Sequence, residues 1–156
     1  MMRLVIIIST LVFFIDQISK FIVVQYLDLK SSLVLEVFPP YLNFRMGWNT
    51  GVNFGFMSKY FASSGLILVV LALVISACLV WWTYSRQDSF LRVLSVGFVV
   101  GGALGNALDR LVYGAVADFI NMSCCGIENP FAFNIADIFI FTGVFGLLFI
   151  NDNKKA

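Results

Sequence analysis

The sequence predicts an all-α membrane protein, with four transmembrane helices and a small extracytoplasmic β-element in the first outer loop. Three observations lead there. First, 60% of the 156 residues are hydrophobic and only 12% are charged. A soluble chain of this length has too much surface for its volume to hide so many apolar side chains, whereas lipid solvates them. Second, four long apolar runs punctuate the chain. Third, one stretch between the first two runs alternates in the manner of a strand.

The runs extend from Leu4 to Leu27, Phe61 to Tyr84, Val93 to Val112 and Ile135 to Ile150. Each is near the roughly 20 residues that a helix needs to cross a bilayer, the last being short. They are continuously apolar rather than alternating, which favours helices over a membrane barrel. The first run, with Arg3 ahead of it, resembles a signal peptide. Its length, the acid Asp16 within it and the lack of an A-x-A site predict a retained span instead. Residues 1–156 then form a single integral-membrane domain. An even number of spans puts both termini on one side. Arg3, Arg86, Arg92, Lys154 and Lys155 would share that side, against Lys30, Arg45 and Lys59 on the other. The bias is modest and places both termini in the cytoplasm. The loops Asp28–Tyr60 and Tyr113–Phe133 then lie outside.

Within the first outer loop, Leu42, Phe44, Met46 and Trp48 alternate with polar residues or glycine. That is the period of a half-buried strand. Its apolar face could rest at the membrane interface, where tryptophan is favoured. A hairpin that merely covers helix ends and a small sheet beside an active site fit this pattern equally well. In the third run, Gly97, Gly101 and Gly105 recur every four residues. This spacing lines one helical face and lets a second helix approach closely, so it reads as packing.

Histidine is absent. Its absence removes Ser-His-Asp and Cys-His mechanisms and every histidine-ligated zinc site. Cys78 reads as a structural thiol in an apolar run. Cys124 and Cys125 are adjacent and pair with each other only in strained geometry. No metal or cofactor site is legible. A net charge of +1, with no lysine–arginine run, gives no footprint for nucleic acid.

Ionisable residues within membrane spans are costly and face a protein interior or an aqueous cavity. Asp16 and Lys20 lie one helical turn apart and can pair. A charge pair that locks helices together is the favoured reading of them. Asn106, Asp109 and Arg110 share one face near the outer end of the third span. They read as part structural pair, part polar wall for a substrate backbone, since arginine carries a fixed fork of donors. Asp137 sits in the first turn of the fourth run, behind Asn134, where an acid could simply cap the helix. Capping does not account for Asp118, at matching depth on the adjacent span. Two carboxylates forced together cannot easily both ionise; one holds a proton while the other acts as base. Such a pair activates water without histidine, metal or cofactor.

These residues fall in blocks that resemble the lipoprotein signal peptidase (signal peptidase II, prolipoprotein signal peptidase) family. Asp16-Gln17-Ile18-Ser19-Lys20 resembles its D-x-x-S/T-K element, and Asn49 to Gly55 its N-x-G-x-x-F-G loop. Gly105-Asn106-Ala107-Leu108-Asp109-Arg110 is similar to G-N-x-x-D-R. Ala117-Asp118-Phe119 and Phe133 to Asp137 look like the two blocks that bear the family's catalytic aspartates. One block is weak; five in the family's order, spanning nearly the whole chain, are specific. Two positions depart from the pattern: Asn53 stands where small residues are usual, and Ala117 replaces a common valine.

The resemblance implies a multi-pass aspartyl endopeptidase of the bacterial plasma (inner) membrane, with its active site near the outer face. It would cut diacylglyceryl-modified prolipoproteins just before the lipidated cysteine. Asp118 and Asp137 would be catalytic. Asn49, Gly51, Asn106, Asp109, Arg110, Asn134, Asp16 and Lys20 would bind substrate or support the site. No cofactor is implied, and the expected state is a monomer among membrane lipids. Rival readings are a small proton-coupled transporter or a noncatalytic membrane chaperone. The acids cluster near one surface rather than tracing a path across the bilayer, and no inverted repeat is visible. The presenilin and prepilin peptidase types are disfavoured because Asp109, Asp118 and Asp137 lack a preceding G-x-G.

The topology is directly testable. Engineered cysteines beside Met1 and Ala156 are expected to be shielded from a membrane-impermeant thiol reagent applied to intact cells. Labelling of either end from outside would invert or break the arrangement.

Overall fold

The computed structural model describes residues 1–51, 64–86 and 89–150. Lys59, the first residues of the second apolar run, Val52 to Gly55 with the unusual Asn53, and Lys154 with Lys155 fall outside them.

Helix α1 (Met2–Lys20) continues into a π-helical stretch, Phe21–Tyr26. The one-turn helix α2 (Leu29–Ser32) leads to strands β1 (Val34–Phe38) and β2 (Leu42–Asn49). The long helices α3 (Ser64–Arg86) and α4 (Phe90–Tyr113) follow, then β3 (Val116–Met122) and α5 (Ile135–Leu148). Among the described residues, three helices are long and apolar enough to cross a membrane: Met2–Tyr26, Gly65–Arg86 and Phe90–Tyr113. Helix α5 has 14 residues, or about 21 Å at 1.5 Å per residue, against a hydrocarbon core of about 30 Å. The expected run to Ile150 therefore stops short, and α5 is a shorter apolar helix than a full crossing requires.

Helix α4 is the hub. Two-thirds of its most apolar window (67%) is buried inside the protein, against 11% for α3, whose apolar side chains face outward. The glycine ladder explains how α1 reaches it. A Cβ at Gly101 would come within 2.5 Å of the Ser9 carbonyl and 2.7 Å of Val12 Cβ. One at Gly105 would come within 2.6 Å of Asp16 Oδ2. On the α5 side, Gly102 faces the Ala136 carbonyl and Gly143 faces the Ser95 carbonyl. With no aqueous hydrophobic drive between helices in lipid, such close approach supplies the packing that holds them. Val5 of α1 and Val93, Val96 and Val100 of α4 fill the seam toward the N-terminal end of α1.

The chain is helix-rich rather than all-α. The described residues form an antiparallel sheet in the order β1-β2-β3, and its third strand comes from the second outer loop, not the first. Leu42 pairs with Met122, Gly47 with Asp118 and Asn49 with Val116. The sequence shows β2 because alternation survives in it. It hides β3, because Val116 to Phe119 are all buried, Asp118 included, so no alternation of apolar and polar residues marks the strand. Part of the apolar face of β2 packs inward: Phe44 and Met46 lie against Val23, Val24, Leu29 and Phe119, whereas Trp48 is exposed. Trp48 stacks near Tyr113, with ring centroids 5.6 Å apart. The sheet therefore roofs the end of the helices where α1 turns π-helical, where α4 ends and where α5 begins.

A bulky side chain at the tightest helix contact should separate α1 from α4. Gly101→Leu is expected to destabilise the detergent-solubilised protein by at least about 2 kcal/mol, the scale of an overpacked interior. The measurement is thermal unfolding. An unchanged melting temperature would mean that the close approach is not structural.

Candidate active site

Four elements converge under the sheet. Helix α4 ends with Gly114 in the left-handed region (φ 75°), which turns the chain into β3 and sets Asp118 opposite Gly47. Residues two apart on a strand share a face, so Asn49 lies diagonally across from Asp118. Its Nδ2 donates to Asp118 Oδ2 at 3.0 Å. The Asn49 oxygen is already engaged, because the Gly51 amide donates to Oδ1 at 3.0 Å. Gly51 has φ +90°, and an added Cβ there would collide with Leu68 of α3. The positive φ is what favours glycine here, since the end of the flexible Leu68 side chain can shift.

On α5, Asn134 and Asp137 form a reciprocal capping box. The Asp137 amide donates to Asn134 Oδ1 at 2.9 Å, and the Asn134 amide donates to Asp137 Oδ2 at 3.2 Å. Capping is thus one role of Asp137, as an acid in a first helical turn allows. With its oxygen held by the cap, Asn134 directs Nδ2 to Asp118 Oδ1 at 2.6 Å and to Asn106 Oδ1 at 3.1 Å. Asn106 in turn donates Nδ2 to Asp137 Oδ1 at 2.9 Å. Two asparagine side chains therefore connect the carboxylates of Asp118 and Asp137. Asn134 is fully buried and Asn106 and Asp118 nearly so, while Asp137 is half-buried.

Burial pushes the Asp118 carboxyl up to about 6, with the neighbouring Asp137 charge adding to the rise. Hydrogen bonds from Asn49 and Asn134, and the more distant charge of Lys20, oppose the rise without cancelling it.

Asp16, Lys20 and Asp109 form an ionic cluster beside this network. Lys20 Nζ lies 2.7 Å from Asp16 Oδ2 and 2.7 Å from Asp109 Oδ2, with all three side chains buried. The expected Asp16–Lys20 pair is present but shared with Asp109, which the sequence suggested as a partner for Arg110. Asp16 Oδ1 accepts from the Ala136 amide at 3.0 Å, and Asp109 Oδ2 from the Ala117 amide at 3.2 Å. Arg110 is left facing the acids. Its Nη1 donates to the Asn106 carbonyl at 3.3 Å, its buried Nε has no hydrogen-bond partner among the described residues, and Asp118, Asp137 and Asp109 all act on its charge. An arginine with spare donors beside two carboxylates can receive a carbonyl or carboxylate.

All ten residues singled out from the sequence lie in or beside this network. One member escaped notice. Gln17 donates to Asp16 Oδ2 at 3.1 Å, the Gly105 carbonyl at 3.3 Å and Asp109 Oδ1 at 3.0 Å, stitching α1 to α4. Its only sequence signal is a long amide beside an acid in an otherwise apolar helix.

Fold and site together define a multi-pass membrane protein whose polar centre, two carboxylates joined by amides, lies where the helices meet a small antiparallel sheet. The family profile described as signal peptidase (SPase) II matches residues 8–151. A lipoprotein signal peptidase of Rickettsia conorii is 39% identical, covering 91% of this chain and 69% of that protein. One from Rhodopseudomonas palustris is 34% identical, covering 86% and 82%. A bacterial membrane enzyme solved at 1.9 Å resolution superposes with a TM-score of 0.76 at 26% identity, over 92% of this chain and 89% of that one. The chain belongs to the signal peptidase II family, and it is therefore a protease.

The raised Asp118 carboxyl has a consequence for stability. Its folded value of about 6 lies above the ordinary 3.8, so between these values the folded state binds more proton than the unfolded state. This group's contribution to stability is therefore full below about pH 4 and is lost as pH rises through 6. The melting temperature of Asp118→Asn relative to the parent should thus climb between pH 4 and pH 7, by the equivalent of about 2 kcal/mol. Thermal unfolding of both proteins across that range checks it; parallel curves would show that Asp118 has an ordinary carboxyl.

Proposed function

We propose that this protein removes signal peptides from diacylglyceryl-modified prolipoproteins as an intramembrane aspartyl endopeptidase, cutting just before the lipidated cysteine. The carrying observation is the hydrogen-bonded path from Asp118 through Asn134 and Asn106 to Asp137. It supports a water held between the two carboxylates. One carboxylate takes a proton from that water as its oxygen attacks the scissile carbonyl carbon. The other, holding the pair's shared proton, donates it to the carbonyl oxygen. When the tetrahedral intermediate collapses, the carbon–nitrogen bond breaks and a proton passes to the leaving amine. Burial and the Asp137 charge favour Asp118 as the holder of the shared proton.

Arg110, with its free donors, and Asn49 would hold the substrate backbone. Four crossings are proposed, with α5 completing the fourth despite its length, since a short span is accommodated by local thinning of the bilayer. Both termini are then cytoplasmic and the dyad lies at the outer face of a bacterial inner membrane. The lipid chains of the substrate stay in the bilayer while the peptide bond reaches the dyad at its edge.

Asp118→Asn and Asp137→Asn keep size but remove proton exchange. Each is expected to lose about three orders of magnitude or more in turnover, and the double variant little more than either, because the pair acts as a unit. Conversion of a diacylated prolipoprotein to its shorter form by purified protein is the measurement. Substantial cleavage by either folded single variant would sink the two-aspartate mechanism.

A further inference from the structure

The asparagine amides of the site are not free to choose which end faces the acids. Asn49 has its oxygen fixed by the Gly51 amide, and Asn134 by the Asp137 amide. Asn106 Oδ1 accepts from two side-chain donors: the cap-held Asn134 amide at 3.1 Å, and an ammonium. Lys20 Nζ approaches Asn106 Oδ1 at 3.1 Å, from a residue 86 positions earlier in the chain. An ammonium has three donors and no acceptor. The Asn106 oxygen must therefore turn toward Lys20, and its NH2 group must turn toward Asp137 Oδ1, which it reaches at 2.9 Å. A neutral, donor-free side chain in place of Lys20 would leave that choice to the Asn134 amide alone and remove the one charged donor.

We propose that Lys20 is a positioning residue for the catalytic pair, holding the Asn106 amide so that a donor always faces Asp137. The inference rests on the aspartyl-dyad reading given above. Lys20 is buried, and its other two hydrogen-bonding contacts go to Asp16 and Asp109. Those acids keep the ammonium charged and fix its place, while the third donor carries the consequence to the site. A pair that merely locked α1 to α4 needs only the acids.

The charged groups around the dyad come from several elements. Lys20 and Asp16 are on α1, Asp109 and Arg110 on α4, Asp118 on β3 and Asp137 on α5. Of these, Arg110 and Lys20 are the cations, and Lys20 is the one bonded to the Asn106 oxygen. Removing it takes away a positive charge and one of the two donors that hold the Asn106 amide, and both changes disfavour an ionised carboxylate. The acid limb of the pH–rate profile, which reports the dyad as a unit, should therefore move to higher pH.

The test compares Lys20→Met, Lys20→Arg and the double variant Lys20→Met/Asp109→Asn, each purified and normalised to folded protein. The double variant keeps the net charge of the ionic cluster, so it reads out the missing donor if Lys20→Met alone does not fold. Lys20→Met, or the double variant in its place, is expected to lower kcat about tenfold or more, with KM changed little. Its acid limb should move up by about half a pH unit or more. Lys20→Arg, which also only donates, should keep the parent's acid limb even if its bulk lowers kcat. An unmoved limb in Lys20→Met or the double variant would overturn the assignment. So would an Arg variant as shifted as the Met variant, or failure of every Lys20 variant to fold, which would make Lys20 a structural charge only. A parent protein that cleaves no diacylated prolipoprotein would instead fail the proposed function. Inactive aspartate variants beside an active Lys20→Met with an unmoved limb would fail this inference alone.

Discussion

One buried ammonium holds the arrangement together. Lys20 sits between Asp16 and Asp109 at 2.7 Å from each, and those acids also accept main-chain amides. Asp16 accepts the Ala136 amide at the start of α5, and Asp109 accepts the Ala117 amide just before Asp118. One cluster thus fixes α1, α4, α5 and β3 in mutual register. Removing one member of such a buried set leaves an uncompensated charge, which costs far more than the set contributes when intact. The interest of the cluster lies in specificity of placement rather than in stability.

The glycine ladder is the condition for that cluster. Asp16 can enter the seam because Gly105 has no side chain; a Cβ there would occupy the place of the carboxylate. The same ladder that packs α1 on α4 thereby opens the slot for the charges. Packing and electrostatics are one design at this level, and a residue read as scaffold turns out to shape the site. Above the slot, the sheet supplies a lid of apolar side chains, with Phe44 edge-on to Phe119. Exclusion of water by that lid is what makes Asp118 reluctant to ionise.

A common device then governs the acids. Each of the three asparagines has its oxygen occupied by a donor, so each presents NH2 toward a carboxylate. Asn134 and Asn106 divide the work, one addressing Asp118 and the other Asp137. Preorganised donors of this kind cost no reorganisation when charge moves during a reaction. Asp137, at the other end of the network, is only half-buried.

The sequence by itself determined three long apolar spans and a shorter apolar helix, the packing role of Gly97, Gly101 and Gly105, the strand at β2 and the set of polar residues that had to share an interior. Those follow from local physics: length against bilayer thickness, the 3.6-residue period, alternation, and the cost of charge in lipid. Sequence also linked Asn134 with Asp137, because a capping box is a contact three residues long. Tertiary structure decided the rest. Only it assigned Asp109 to Lys20 rather than to Arg110, recruited Gln17, and drew β3 from the second loop. It also turned part of the apolar face of β2 onto the protein's own core. Those outcomes depend on contacts between residues as far apart as Asp16 and Ala136. No local period encodes which of several nearby acids a buried cation will choose; the packing of the helices makes that choice.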